Sequence, residues 1–198
     1  MKELIMEMEE YASLKNVPII EKESITFLMK YIKTKNVKNI LEIGSAIGYS
    51  AILMASSNKE TNVTTIERDE VRYMECLKNV KKCGLESKIN VVYQDALEIN
   101  LSEDIKYDLI FIDAAKGQYV NFFEKFQHFL APGGVIVSDN IKFHGYTGNS
   151  KSIESKNLRG LVEKLERYIE FLKDNPTFNT EFYNIGDGIS VSERKTNE

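Results

Sequence analysis

The chain is poor in the residues that mark secreted, membrane-spanning and multi-part proteins. Among 198 residues it has two cysteines, two histidines and three prolines. Cys76 and Cys83 stand seven apart in a helical pattern, which gives neither a disulfide framework nor a zinc-ligand spacing. A reduced, cytoplasmic setting is therefore expected. No apolar run approaches the roughly 20 residues that span a bilayer, so no membrane partner is expected. The opening stretch from Met1 to Glu10 is acidic and lacks the basic and apolar regions of a signal peptide. With so few prolines, no low-complexity tract and no internal repeat, no linker is visible, and residues 1–198 read as one domain. A net charge of −4 argues against a general nucleic-acid coat protein. It leaves room for local basic patches, of which there are two. One spans Lys33, Lys35 and Lys38; the other carries Lys142, His144, Lys151, Lys156 and Arg159. Scattered lysines on a solvated surface are the simpler account of both.

What is present is an alternation of periods. Residues 2–13 and 21–34 read as helices, the second with Ile25, Leu28, Met29 and Ile32 on one face, and residues 1–36 are expected to pack on the sheet domain. Strands are expected at 39–43, 62–67, 89–93, 108–112 and 135–138. Helices are expected from about Ser50, over 69–83 up to Gly84, over 117–130 and over 153–174. Pro132, Gly133 and Gly134 read as a turn. The chain ends in a hairpin, 178–185 and 189–192, around Gly186, Asp187 and Gly188. Alternating strands and helices imply a doubly wound α/β sheet with helices on both faces, and the hairpin adds an antiparallel strand at its edge. Ligands of such sheets bind at the carboxyl ends of the strands.

The chemistry-bearing residues fall at those ends. Two apolar runs close on oxygen-bearing side chains, one on Asp113 with Lys116 three residues further, the other on Asp139 and Asn140. If these strands lie side by side, Asp113, Asp139 and Asn140 converge into a ligand set for a hard cation such as Mg²⁺. The first strand turns through Glu42, Gly44, Gly48 and Ser50, where glycines let backbone approach a ligand closely. It has neither the three-glycine dinucleotide spacing nor a P-loop. Glu67, at the end of the next strand, is placed to accept hydrogen bonds from a ribose diol. Gln94, Asp95 and Ala96 end the third strand, where an acid and backbone amides can read an adenine edge. Glu42 and the absence of a basic residue in the first loop suit a cationic ligand better than a pyrophosphate, and S-adenosylmethionine is a sulfonium. Plain strand-end turns, solvated acids and helix caps remain alternatives for each residue alone. His144 reads as a loop residue near the last ligand. His128, among Phe122, Phe123, Phe126 and Phe129, reads as helix packing or surface.

Seven motifs occur in order: Leu41 to Ser50, Thr65 to Glu67, Asp95 to Leu97, Phe111 to Lys116, Pro132 to Gly134, Ser138 to Asn140 and Ile185 to Ile189. On them the chain resembles the class I S-adenosylmethionine-dependent methyltransferases. More narrowly, it resembles the cation-dependent O-methyltransferases of the catechol and caffeoyl-CoA type. Val17 to Ile20 and Gly186 to Gly188 give a further likeness to bacterial tRNA 5-hydroxyuridine methyltransferases.

The resemblance implies a Rossmann-like seven-stranded sheet. It implies a cofactor site lined by Ile20, Glu42, Gly44, Ser50, Glu67, Asp95, Ala96 and Asp113, and a cation on Asp113, Asp139 and Asn140. Asp113 and Lys116 are the implied catalytic pair, Lys116 as acceptor of the hydroxyl proton. The expected acceptor is 5-hydroxyuridine at the tRNA wobble position, with a small catechol-like phenol as the alternative. The segment from Lys142 to Gly148 is where acceptor choice would be set. A homodimer is expected on the same ground, although the N-terminal arm is short.

Overall fold

The computed structural model describes residues 1–143, 145–148 and 150–196. His144, read above as a loop residue, lies outside them. Two N-terminal helices, α1 (Lys2–Lys15) and α2 (Lys22–Lys35), precede the alternating part. Each runs until an asparagine in left-handed conformation, Asn16 and Asn36, both at φ 52°, turns the chain away. The alternation then proceeds through β1 (Asn39–Ile43), α3 (Tyr49–Ser56), β2 (Asn62–Glu67), α4 (Glu70–Lys82), β3 (Ile89–Tyr93) and β4 (Tyr107–Ile112). It continues through α5 (Tyr119–Phe126), β5 (Leu130–Ser138), α6 (Lys156–Lys173), β6 (Phe178–Tyr183) and β7 (Ile189–Arg194).

Among the described residues seven strands form one sheet, in the order β3-β2-β1-β4-β5-β7-β6. The first five are parallel. The terminal hairpin extends the edge of the sheet with antiparallel strands, as expected. Its second strand, β7, inserts between β5 and β6 and runs antiparallel to both. The strands alternate their side chains between two cores. Ile40, Leu109, Phe111, Val135 and Val137 face α1 to α4. Leu41, Ile43, Ile110, Ile112 and Ile136 face α5 and α6. Phe122, Phe123 and Phe126 pack in the second core, Phe122 also reaching the cleft at the strand ends, and His128 is exposed.

Some boundaries differ from the sequence reading. The helix expected over 117–130 is a short α-helix between two 3₁₀ turns, Lys116–Gln118 and Gln127–Phe129. The long helix starts at Lys156 because Ser155 caps it, accepting from the Leu158 N–H. Pro132, Gly133 and Gly134 form a bulge within β5, opposite Tyr107 to Leu109. A side chain on Gly134 would sit 2.9 Å from the Asp108 carbonyl oxygen, so the bulge needs glycine there.

Candidate active site

The sheet order places β1 between β2 and β4, and β4 beside β5. The polar ends of these four strands, with that of β3 beside β2, therefore open into one cleft of about 630 Å³. Ile20, Gly44, Ser50, Glu67, Asp95, Ala96, Asp113, Lys116 and Asn140 line it, as do Arg68, Arg72 and Phe143. The expected site residues thus gather at one place, with two exceptions of position.

Glu42 is fully buried below the cleft floor, with both its oxygens taken by the hydroxyls of Ser50 and Thr65. Burial pushes its carboxyl up to about 7, and the charges of Asp113 and Glu67 push the same way. The group expected to face the cofactor directly instead supports the floor and holds Ser50. Asp139 is likewise 1% exposed and sits behind Asn140.

The turn after β1 is built by close approach. Gly44 has φ 96°, and a Cβ there would lie 2.3 Å from the Asp113 carbonyl oxygen. Only glycine allows this turn and the Asp113 strand end to touch in this way. Glu67 accepts three backbone N–H bonds, from Ala46, Arg68 and Asp69, each at 2.9 Å. A carboxylate has about four acceptor positions, so capacity remains for a ligand hydroxyl. Asp95 accepts from the Leu97 N–H at 2.8 Å and from Arg68 at 3.1 Å. The Leu97 bond leads in holding its carboxyl below the usual range, with Arg68 adding to it.

At the other end of the cleft, Ile112 and Ser138 are paired in register, which brings Asp113 and Asp139 side by side. Asn140 adopts φ 60°, a left-handed conformation that asparagine tolerates. Its amide donates to Asp139 Oδ2 at 3.2 Å and also bonds Asp113. Burial, then the charge of Asp113, pushes Asp139 up to about 7. Burial also raises Asp113, against Lys116 and Asn140, which lower it. Among the described residues no three His, Cys, Asp or Glu side chains gather around a metal-sized space. The donor set here is two carboxylates and one amide. That set fits a hard divalent cation, whose charge would offset the burial and mutual repulsion of the two acids. Rotation of the Asn140 amide would present its oxygen.

Lys116 Nζ lies 5.5 Å from the centre of the Phe143 ring, which itself lines the cleft. Phe143 (φ 44°) and Ala46 (φ 44°) join Asn140 as left-handed residues other than glycine around this one cleft. Such backbone is sparsely populated and gathers at ligand sites.

The basic segment after Asn140 is partly spent on the protein itself. Arg159 donates from Nε and Nη2 to the Ile153 carbonyl at 2.9 and 2.6 Å. Lys142 donates to Asn184 at 2.5 Å. Among the described residues the cations facing the cleft are instead Arg68, Arg72 and Lys116, of which Arg68 is paired with Asp95. Neither arginine was singled out from sequence; the available signal was their closeness to Glu67, Arg68 on the strand-helix connection and Arg72 in the first turn of α4.

The sequence profile of the O-methyltransferase family matches residues 1–195. Tapetum-specific methyltransferase 1 of Arabidopsis thaliana is 31% identical over 202 residues, 97% of this chain and 86% of its own. A Staphylococcus aureus structure, assigned provisionally as a caffeoyl-CoA O-methyltransferase, superposes with a TM-score of 0.92 at 37% identity. It covers 96% of this chain and 92% of its own. An O-methyltransferase of Bacillus cereus, solved with S-adenosylhomocysteine, shares the fold with a TM-score of 0.82 at 24% identity. It covers 98% of this chain and 91% of its own.

Proposed function

The chain belongs to the S-adenosylmethionine-dependent O-methyltransferase family, and on that premise we propose that it methylates an acidic hydroxyl beside a second oxygen, with a divalent cation on Asp113, Asp139 and Asn140. One observation carries this reading. The glycine turn after β1 and the carboxylate edge meet at Asp113, whose carbonyl Gly44 touches and whose side chain stands beside Asp139. Methyl donor and acceptor oxygen must lie within contact of each other for an in-line displacement, and this junction is where the two half-sites adjoin.

Each residue has a part in that chemistry. Glu67 and Asp95 hold the nucleoside of the donor, Glu67 through its remaining acceptor capacity. Gly44 leaves room for the donor beside Asp113. A bound cation would lower the hydroxyl's pKa and orient two vicinal oxygens. Lys116 is positioned at the cleft to accept the hydroxyl proton in its neutral amine form, with the Phe143 ring beside its Nζ.

The acceptor we propose is 5-hydroxyuridine at the tRNA wobble position, giving 5-methoxyuridine. Its 5-oxygen and 4-carbonyl are the vicinal pair. What supports this acceptor is the likeness of Val17 to Ile20 and Gly186 to Gly188 to the tRNA enzymes, since the cleft's cations, Arg68, Arg72 and Lys116, are offset by Glu21, Glu67, Asp95 and Asp113. Catechol presents an equivalent oxygen pair and is the second reading. By family resemblance the protein is also proposed to be a homodimer, which sedimentation would test.

The discriminating experiment incubates the protein with labelled S-adenosylmethionine and either undermodified tRNA or a panel of catechols, with and without EDTA. Label in tRNA that EDTA abolishes and Mg²⁺ restores is expected. Label confined to catechols would overturn the tRNA assignment, and undiminished transfer in EDTA would overturn the cation's role.

A further inference from the structure

One buried contact at the carboxylate edge comes from far away in the chain. The Ser24 hydroxyl donates to Asp139 Oδ1 at 3.1 Å, across 115 positions of sequence. Ser24 lies in the first turn of α2 and is fully buried. Serine is a mediocre helix former, and this one does not cap its helix, since Glu21 occupies that position. Its hydroxyl is spent on Asp139. The other Asp139 oxygen accepts from Asn140, and the residue's backbone carbonyl accepts from the Tyr119 hydroxyl at 3.1 Å. The carboxylate is therefore fixed from each of its ends.

The contact is itself braced. A Cβ on Gly186 would sit 2.5 Å from Ser24 Oγ, so the β6–β7 turn packs directly on this hydroxyl. The same turn grips the segment just after Asn140. Ile141 donates to the Gly188 carbonyl at 3.1 Å and Lys142 to that of Asp187 at 2.8 Å. The first turn of α2, the β6–β7 turn and the end of β5 thus form a closed ring of contacts around Asp139.

We propose that Ser24 is a positioning residue, whose hydroxyl fixes the Asp139 carboxylate in the orientation from which, with Asp113 and Asn140, it holds a divalent cation. The proposal deepens the cation reading above and rests on it. A serine hydroxyl donating to one lone pair of Oδ1 leaves the other free for a metal. Partners of this kind orient a ligand without touching the ion, and their loss typically weakens metal binding by about 10- to 100-fold.

The test titrates metal-free protein with Mn²⁺, reads the free ion by electron paramagnetic resonance, and measures S-adenosylhomocysteine binding by calorimetry. Ser24→Ala is expected to weaken Mn²⁺ binding by about tenfold while leaving S-adenosylhomocysteine affinity unchanged. Ser24→Thr, which keeps the hydroxyl, is expected to retain Mn²⁺ affinity. Equal Mn²⁺ affinity in Ser24→Ala and wild type would overturn the positioning role. Equal loss in the Ala and Thr variants would assign the effect to packing and overturn it as well. Wild-type protein that binds no Mn²⁺ would overturn the cation reading and this proposal together. That result is distinct from wild-type binding that the alanine variant leaves untouched.

Discussion

At Asp113 two requirements meet in one residue. Its carbonyl must be bare enough for Gly44 to approach, and its carboxylate must stand beside Asp139. Lys116 is three residues on, close enough for its charge to favour ionisation of both acids. The donor site proposed above lies toward Glu67 and Asp95, so the lysine is separable from it. Lys116→Met is expected to lower the single-turnover methylation rate by about 10²- to 10⁴-fold, the usual worth of a positioned proton acceptor. Its affinity for S-adenosylhomocysteine should be unaltered. A rate within a few-fold of wild type would remove Lys116 from the proton transfer. Besides Arg68 and Arg72, sequence reading did not reach Ser24, and it gave no individual role to Thr65, inside a motif, or to Phe143, inside the Lys142 to Gly148 segment. Their individual roles are not local. Thr65 and Ser24 matter because their hydroxyls meet a carboxylate on another element, and Phe143 matters because its left-handed backbone turns its ring into the cleft.

Among elements, the connection from β1 to α3 is the most demanding. Gly44 at φ 96° and Gly48 at φ 84° both occupy conformations that side chains rarely adopt. Gly48 also faces Cys76, whose Sγ would lie 2.7 Å from an added Cβ. Burial pushes the Cys76 thiol up to about 12, so it acts as a packing residue with little thiolate character. Gly44→Ala has no such soft neighbour, because the obstacle is the Asp113 backbone. The substitution is expected to destabilise the protein by about 1–3 kcal/mol and to abolish measurable S-adenosylhomocysteine binding. Urea unfolding and calorimetry would check both, and wild-type affinity in that variant would refute the close-approach account. The glycines and the strand that precedes them were legible in the sequence, since both are local signals. That Glu42 lies beneath the floor instead of facing the ligand was not legible. It depends on Thr65, on the neighbouring strand, and Ser50, on the following helix, closing over it from two directions.

For the whole molecule, the buried acid below the cleft ties stability to pH. Glu42 titrates near 7 in the folded protein against an ordinary value of 4.5, so the folded state binds its proton more tightly than the unfolded chain. Stability from this group is complete below the unfolded value and is lost as pH rises through the folded one. The swing is on the order of 3 kcal/mol. Glu42→Gln, neutral throughout, should gain on wild type by that order between about pH 5 and about pH 8 in urea unfolding. An unchanged difference between the two proteins across that interval would show that Glu42 ionises freely in the fold. No helix among the described residues is long and apolar enough to cross a membrane.

The sequence by itself determined the elements and the composition of the strand ends. Periodicity, caps and glycine turns act within a few residues, and so did the placing of Asp113, Lys116, Asp139 and Asn140 at the ends of apolar runs. The tertiary structure alone decided which ends share a cleft, that β7 slips between β5 and β6, that Glu42 is walled in, and that Ser24 reaches Asp139. Those outcomes depend on sheet order and on helices packed over both faces. They join residues more than 100 positions apart, Ser24 and Asp139 by 115, through contacts that no local pattern encodes.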